Sequence, residues 1–228
     1  MQKDTKELEK HIGIKFKKPE ILQEAMVHRS YINEHPAWET DHNERLEFLG
    51  DAVLELVVTD YLFHNFKNPE GELTNWRAAL VRGTTLKEVA DKLKLGEYLY
   101  LSKGEELSGG RERELILANS VEALIGAIYE DQGYNSAKDF IMDEIVSKLP
   151  NILETQSYLD AKSRLQEMAQ EKFGITPVYK LVSESGPDHA KQFLMAVFVG
   201  DREFGQGSGS SKQLAEQEAA HNALANFN

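Results

Sequence analysis

The chain has 228 residues, a formal net charge of −12 and no cysteine. That length accommodates one large domain or two modest ones, and the missing thiols exclude disulfides and thiolate metal sites while fitting a reducing cytoplasm. Bulk acidity makes a poor non-specific binder of polyanions, so any contact with nucleic acid has to come from local geometry.

The first stretch, MQKDTKELEKH, alternates charge without an apolar centre and does not read as a secretory signal. No apolar run approaches the ~20 residues of a membrane span, so no membrane partner is expected. Up to about residue 150 the pattern is helical throughout. KPEILQEAMVHRSY has Pro19 in a first turn, where its missing donor costs nothing, followed by helically spaced apolar residues. HNERLEFLGDAVLELVV, residues 42 to 58, reads as a core helix. TTLKEVADKLKL begins at a threonine cap and ends before Gly96. LSKGEELSGGRER, with three glycines among polar neighbours, reads as a loop. ELILANSVEALIGAIYED is a long apolar helix stopped near Gly133, and SAKDFIMDEIVSKL a further amphipathic helix ending at Pro150.

Beyond Pro150 the texture changes. NILETQS reads as a linker over residues 151 to 157, and DAKSRLQEMAQEKFG as a helix ended by Gly174. PVYKLVSESG, KQFLMAVFVG and DREFGQG have the β-branched and aromatic content of strands separated by glycine turns. SKQLAEQEAAHNALANF closes the chain as an alanine-rich helix capped by Ser211. The expected architecture is an all-α domain over residues 1 to 150 and a small α+β module, α-β-β-β-α, over 158 to 228.

The helix at 42 to 58 carries four acids among its apolar residues: Glu44, Glu47, Asp51 and Glu55. At 100° per residue, Glu47 and Asp51 lie about 40° apart and about 6 Å along the axis. On an arbitrary helix such acids are a solvated face; here the remaining faces are too apolar for that, so the acids line a cleft or meet cations such as Arg77 or Arg82. In LILANSVEALIGAIY, Glu122 is the one charged residue, with Asn119 three positions earlier on the same face. Taken alone, Glu122 is as well explained by a bond to backbone or arginine. Together the two segments make an oxygen-rich pocket suited to Mg²⁺ or Mn²⁺. Two such ions roughly 4 Å apart serve in-line phosphoryl displacement.

HNERLEFLGDAVL resembles the signature stretch of bacterial ribonuclease III nearly residue for residue, and the likeness continues through VHRSY, EGELTNWRAALV, GEELSGGRER and ANSVEALIGAIY. The final module is similar to the double-stranded-RNA-binding domain joined to these enzymes. The resemblance covers essentially the whole chain. It implies a dimeric all-helical endonuclease that hydrolyses double-stranded RNA with Mg²⁺, leaving a 5′-phosphate, a 3′-hydroxyl and short 3′ overhangs, in the processing of rRNA and mRNA precursors. No organic cofactor is implied. Glu47, Asp51 and Glu122 match metal-site acids of the family, with Asp51 and Glu122 catalytic, and Glu44 matches a secondary acid. Phe48 matches an aromatic of the dimer contact, although the sequence equally allows ordinary core.

Two positions depart from the family pattern. Asn119 stands where aspartate is usual: its carbonyl oxygen can ligate Mg²⁺, but it brings no charge and cannot act as a base. The competing reading is therefore a double-stranded-RNA-binding protein whose nuclease half Asn119 silences. Gln213 replaces the second of two consecutive lysines.

Residues 156 to 228 hold seven Lys and Arg against nine Asp and Glu, net −2, leaving −10 for the rest. Double-stranded RNA is recognised largely by shape and 2′-hydroxyl contacts, which needs few charges. By similarity, Gln166 and Glu167 face one minor groove, Pro187 and His189 the next, and Ser211 and Lys212 the phosphates between them, helped by the helix N-terminus. Out of its GPDH frame, His189 would read as a solvated loop histidine. Arg111 is either a solvated loop arginine or a phosphate contact, and His28 reads as structural.

Overall fold

The computed structural model describes residues 5–158, 160–187 and 191–226. It divides into two units, residues 1 to 155 and 156 to 228.

The first unit is helical: α1 (Thr5–Ile12), α2 (Pro19–Ala25), α3 (Arg29–Glu34), α4 (Glu44–Asn65), α5 (Glu70–Val81), α6 (Gly83–Lys92), α7 (Leu95–Tyr98), α8 (Lys103–Leu107), α9 (Glu114–Gln132), α10 (Tyr134–Glu144) and α11 (Leu149–Glu154). At its centre is α9, which packs against α2, α4, α6 and α10. Val121, Ala123, Leu124, Ile125, Ala127 and Ile128 of α9 are fully buried, which explains a helix that is apolar on almost every side. Its C-terminal end is tied to the start of α2: the buried Asp131 accepts the backbone N–H groups of Lys17 and Lys18 at 2.8 and 2.9 Å.

Five local expectations change. TTLKEVADKLKL has no threonine cap: its helix starts at Gly83, with Arg82 at the N-cap and both threonines inside the first turn. KPEILQEAMVHRSY is two helices, because Val27 forms a parallel bridge with Tyr100 between them and His28 caps α3, its ring Nδ1 accepting from Ser30 N–H at 3.2 Å. Gly96 does not stop the preceding helix; Lys94, at φ 55°, makes that turn, while Gly96 sits within α7 where a Cβ would lie 2.5 Å from the Arg111 carbonyl oxygen. The expected loop at 101 to 113 contains α8, capped by Ser102, and a 3₁₀ turn over Gly110–Glu112. Pro150 opens α11 instead of ending α10, in the first-turn position that tolerates proline. Asn151–Glu154, read as linker, thereby becomes helix, held by the buried Leu149 and Ile152.

The second unit follows the expected order: α12 (Ala161–Phe173), β1 (Val178–Ser185), β2 (Gln192–Val199), β3 (Arg202–Gly209) and α13 (Lys212–Ala225). The strands are antiparallel in the order β1-β2-β3. Asp160 caps α12 by accepting from Lys162 and Ser163 N–H at 3.0 and 3.1 Å, and Gly174, at φ 67°, ends it. Leu165 and Ala169 of α12 meet Val197, Val199 and Phe204 of the sheet and Ala219, Ala220 and Ala223 of α13 in one core. Among the described residues, no helix of either unit is long and apolar enough to cross a membrane.

Candidate active site

The start of α4 is anchored from below. Asn43, buried, donates its amide to the Ala25 carbonyl at 3.3 Å, and its own N–H reaches the Val27 carbonyl at 2.9 Å. From there α4 buries Leu46, Gly50, Val53, Leu54, Val57, Val58 and Leu62, and its four acids separate into two kinds. Glu44 pairs with Arg29 at 3.4 Å and Glu55 with Arg77 at 3.1 Å. Glu47 and Asp51 instead come together with Asn119 and Glu122 of α9, as their mutual effects on ionisation record.

Glu122, half-buried, is pushed up to about 7, chiefly by burial and then by the charges of Asp51 and Glu47. Glu47 is also raised, by burial first; a hydrogen bond with Asn119 pulls it back, and Glu44 and Asp51 raise it further. With Glu47 in its carboxylate form, the Asn119 amide is the donor in that bond. Among the described residues, no three Asp, Glu or His side chains converge on one ion-sized point, so the donors share a face without yet closing a cage. Their chemistry fits a hard divalent cation: every donor is oxygen, and a positive charge would offset both the burial and the neighbouring carboxylates that raise Glu122.

The crossing that gathers these residues depends on two glycines that the sequence reading passed over. A Cβ on Gly50 would overlap the Glu122 carbonyl oxygen and lie 2.8 Å from the Gly126 nitrogen. One on Gly126 would overlap the Leu46 carbonyl oxygen and lie 3.1 Å from the Gly50 nitrogen. Each glycine inside a helix costs roughly 1 kcal/mol relative to alanine. Their occurrence within long apolar helices was the available signal for close backbone approach.

Phe48 is 80% exposed, which removes the core alternative for it. Leu56 and Phe63, at 58% and 68%, continue the same exposed stripe along α4. Arg111 is committed within the fold: it donates to the Gly96 and Leu99 carbonyls at 2.7 and 2.9 Å and pairs with Glu106 at 2.7 Å. His28, the cap of α3, is held below its ordinary pKa mainly by burial.

On the second unit Gln166 and Glu167 are exposed on α12, beside Gln170 and Glu171. Pro187 is exposed just beyond β1, while His189 lies outside the described residues. Ser211 accepts from Leu214 N–H at 3.2 Å and so caps α13. Lys212, the first residue of that helix, has its ammonium 5.9 Å from the Phe193 ring.

A family described as ribonuclease-III-like matches residues 18–149, and one described as a double-stranded RNA binding motif matches residues 161–227. The chain is 45% identical to the protein named Ribonuclease 3 of Oceanobacillus iheyensis over 226 residues, 99% of each. It is 46% identical over 223 residues to that of Natranaerobius thermophilus, covering 97% of this chain and 96% of that one. The chain belongs to the ribonuclease III family. It is accordingly an endoribonuclease, a hydrolase, followed by a double-stranded-RNA-binding motif. Among solved structures, the nuclease domain of ribonuclease III from Campylobacter jejuni matches with a TM-score of 0.59 at 40% identity, over 64% of this chain and 99% of that one. In this ribonuclease III the α4–α9 crossing brings Glu47, Asp51 and Glu122 together, while Glu44 pairs with Arg29.

Proposed function

We propose that the chain is a homodimeric, Mg²⁺-dependent endoribonuclease that cleaves double-stranded RNA into short duplexes with 5′-phosphates, 3′-hydroxyls and short 3′ overhangs, acting on rRNA and mRNA precursors. The observation that carries this reading is the gathering of Glu47, Asp51 and Glu122 at the crossing, where burial first and the neighbouring carboxylates second bring Glu122 to about 7. Mn²⁺ meets the same ligand preferences and serves as a substitute. When bound, the divalent ion supplies positive charge at the attacked phosphate and acidifies a water.

The chain's own residues do the rest. Glu47, Asp51, Asn119 and Glu122 orient oxygen donors on one face. Without a cation, Glu122 lies within reach of both protonation states near neutral pH, so it can release its proton as it takes up the ion. Glu44, tethered by Arg29, is a secondary acid at the rim. Gln166 and Glu167 read one minor groove, Pro187 and His189 the next, and Lys212 meets phosphate at the Ser211-capped start of α13. Arg111 contributes by holding the 3₁₀ turn and loop before α9 in shape for the RNA backbone. The exposed apolar stripe of Phe48, Leu56 and Phe63 is the contact between copies. In support, the Campylobacter jejuni structure is described as flexible in a region involved in dimer formation.

Incubating long double-stranded RNA with the protein in Mg²⁺ or in Ca²⁺ tests the reading, with short duplexes expected in Mg²⁺ alone. RNA retained intact but bound in both would favour the alternative, an RNA-binding protein with a nuclease half silenced by Asn119.

A further inference from the structure

The geometry points to Gly50 and Gly126 as positioning residues that set the separation between the carboxylates of α4 and Glu122 of α9, and with it divalent-ion affinity. The inference rests on the metal-centre reading above and deepens it. Gly50 lies three residues after Glu47 and immediately before Asp51, and the space its side chain would fill is occupied by the backbone carbonyl of Glu122. Gly126, one turn beyond Glu122, is filled in the same way by the carbonyl of Leu46, the residue before Glu47. Each glycine thus abuts the backbone of, or next to, a proposed ligand on the opposite helix. The atoms in the way are backbone, so a methyl group at either position cannot be absorbed by a side chain turning aside. It has to push the two helices apart at the point where the four oxygen donors face one another.

A role in packing alone predicts something different. If the glycines only let two helices touch, alanine would lower the melting temperature, and the folded fraction would bind metal as before. The RNA-binding unit supplies a matched control. Gly207 of β3 is packed with equal tightness against α13, where a Cβ would lie 2.5 Å from the Glu218 carbonyl carbon and 2.7 Å from the Ala215 carbonyl oxygen, yet it lies in the unit without the acids.

The experiment uses the full chain as wild type, Gly50→Ala, Gly126→Ala and Gly207→Ala. Helical content and cooperative melting are recorded without divalent ions, and the rise in melting temperature is then titrated with Mg²⁺ and with Mn²⁺. Binding to double-stranded RNA without divalent ions and cleavage in Mg²⁺ complete the set. Expected for Gly50→Ala and Gly126→Ala is a cooperative fold, unchanged RNA binding, and a metal midpoint raised roughly 10- to 100-fold, the range for disturbing groups that orient ligands. Cleavage at fixed Mg²⁺ should fall roughly 100-fold, as for a displacement of about 1 Å. Gly207→Ala should weaken RNA binding and leave the metal midpoint alone. The inference is overturned if both nuclease variants fold and keep the wild-type metal midpoint, or if both lose their fold altogether, which would assign the glycines to stability. A wild type that takes up Mg²⁺ but never cleaves would sink the functional reading instead, and the midpoints would still decide the positioning role.

Discussion

The two units solve the same packing problem with the same residue and obtain opposite electrostatic results. In the RNA-binding unit Gly205, Gly207 and Gly209 alternate along β3, and α13 lies against them through Ala215, Ala219 and Ala223. A Cβ on Gly205 would stand 2.6 Å from the Ala223 nitrogen, and one on Gly209 2.7 Å from the Ala215 nitrogen. The seam is small-on-small, and the one carboxylate that crosses it, Glu218, is satisfied by the Ser208 N–H and hydroxyl, so close approach gathers no unpaired acids. At the α4–α9 crossing, Gly50 and Gly126 allow an equally close approach, and it gathers Glu47, Asp51 and Glu122. That region is locally frustrated: in the absence of a cation it would be more stable with fewer acids. Such conflict between fold and charge is what a functional site looks like when the rest of the unit is consistent.

Neutralising one acid should separate these roles with the largest effect. Glu122→Gln is expected to lower cleavage roughly 100- to 1000-fold, the range for removing one group of an electrostatic site, with RNA binding intact. Its effect on stability runs the other way. A carboxyl whose folded pKa is raised binds its proton more tightly in the native state, so its cost is absent below the ordinary value of 4.5, grows between 4.5 and about 7, and is complete above that. Metal-free wild type should therefore lose stability as pH rises through this window, and Glu122→Gln should lose less. Parallel melting curves for the two proteins from pH 4 to 8 would refute the assignment of that cost to Glu122. The same logic makes the Mg²⁺ midpoint of wild type fall as pH rises toward 7, since binding has to displace the Glu122 proton.

The exposed stripe gives the next effect in size. Phe48→Asp is expected to raise the dimer dissociation constant by roughly 30-fold or more, the scale of a buried aromatic anchor, measured by sedimentation. A variant that stays dimeric at wild-type concentrations would remove Phe48 from the interface.

Much of this arrangement was legible in the order of residues, and the gaps have physical causes. The α-β-β-β-α module was readable because its strands are rich in β-branched and aromatic residues, its turns fall at glycines, and Asp160 and Ser211 are strong caps. The helical class of the first unit was equally clear, but its breaks were not. Val27 leaves the helical path for a single bridge to Tyr100, a partner 73 positions away that no local pattern announces. Pro150 reads as a stop or a start with equal ease, and the burial of Leu149 and Ile152 decides it. At the site, spacing placed Glu47 with Asp51 and Asn119 with Glu122, yet could not say which acids of the stripe are neutralised. Arg29 and Arg77 do that for Glu44 and Glu55, and both pairings are tertiary.

Asn119→Asp sharpens the comparison by adding a fourth charge to the frustrated unit. It removes the amide that lowers the Glu47 pKa and adds a like charge beside Glu47 and Glu122, so both carboxyls should hold their protons to still higher pH without metal. Metal-free stability at pH 8 should fall, and the Mg²⁺ midpoint for cleavage should drop several-fold, with wild type still cleaving when Mg²⁺ is saturating. If wild type stays inert at saturating Mg²⁺ while Asn119→Asp cleaves, asparagine is a lesion and not a variant of the site.

The smallest expected change lies in the RNA-binding unit. Gln213 is exposed in the first turn of α13, next to Lys212, so a lysine there can reach phosphate without disturbing the alanine face behind it. Gln213→Lys should tighten RNA binding mainly at low salt and steepen the logarithmic salt dependence by about one unit or slightly less, the release of one further counterion. Cleavage at saturating RNA should not change, because the substitution touches neither α4 nor α9. An unaltered slope would mean that the RNA backbone does not pass over the start of α13, and Lys212 would lose its phosphate role together with it.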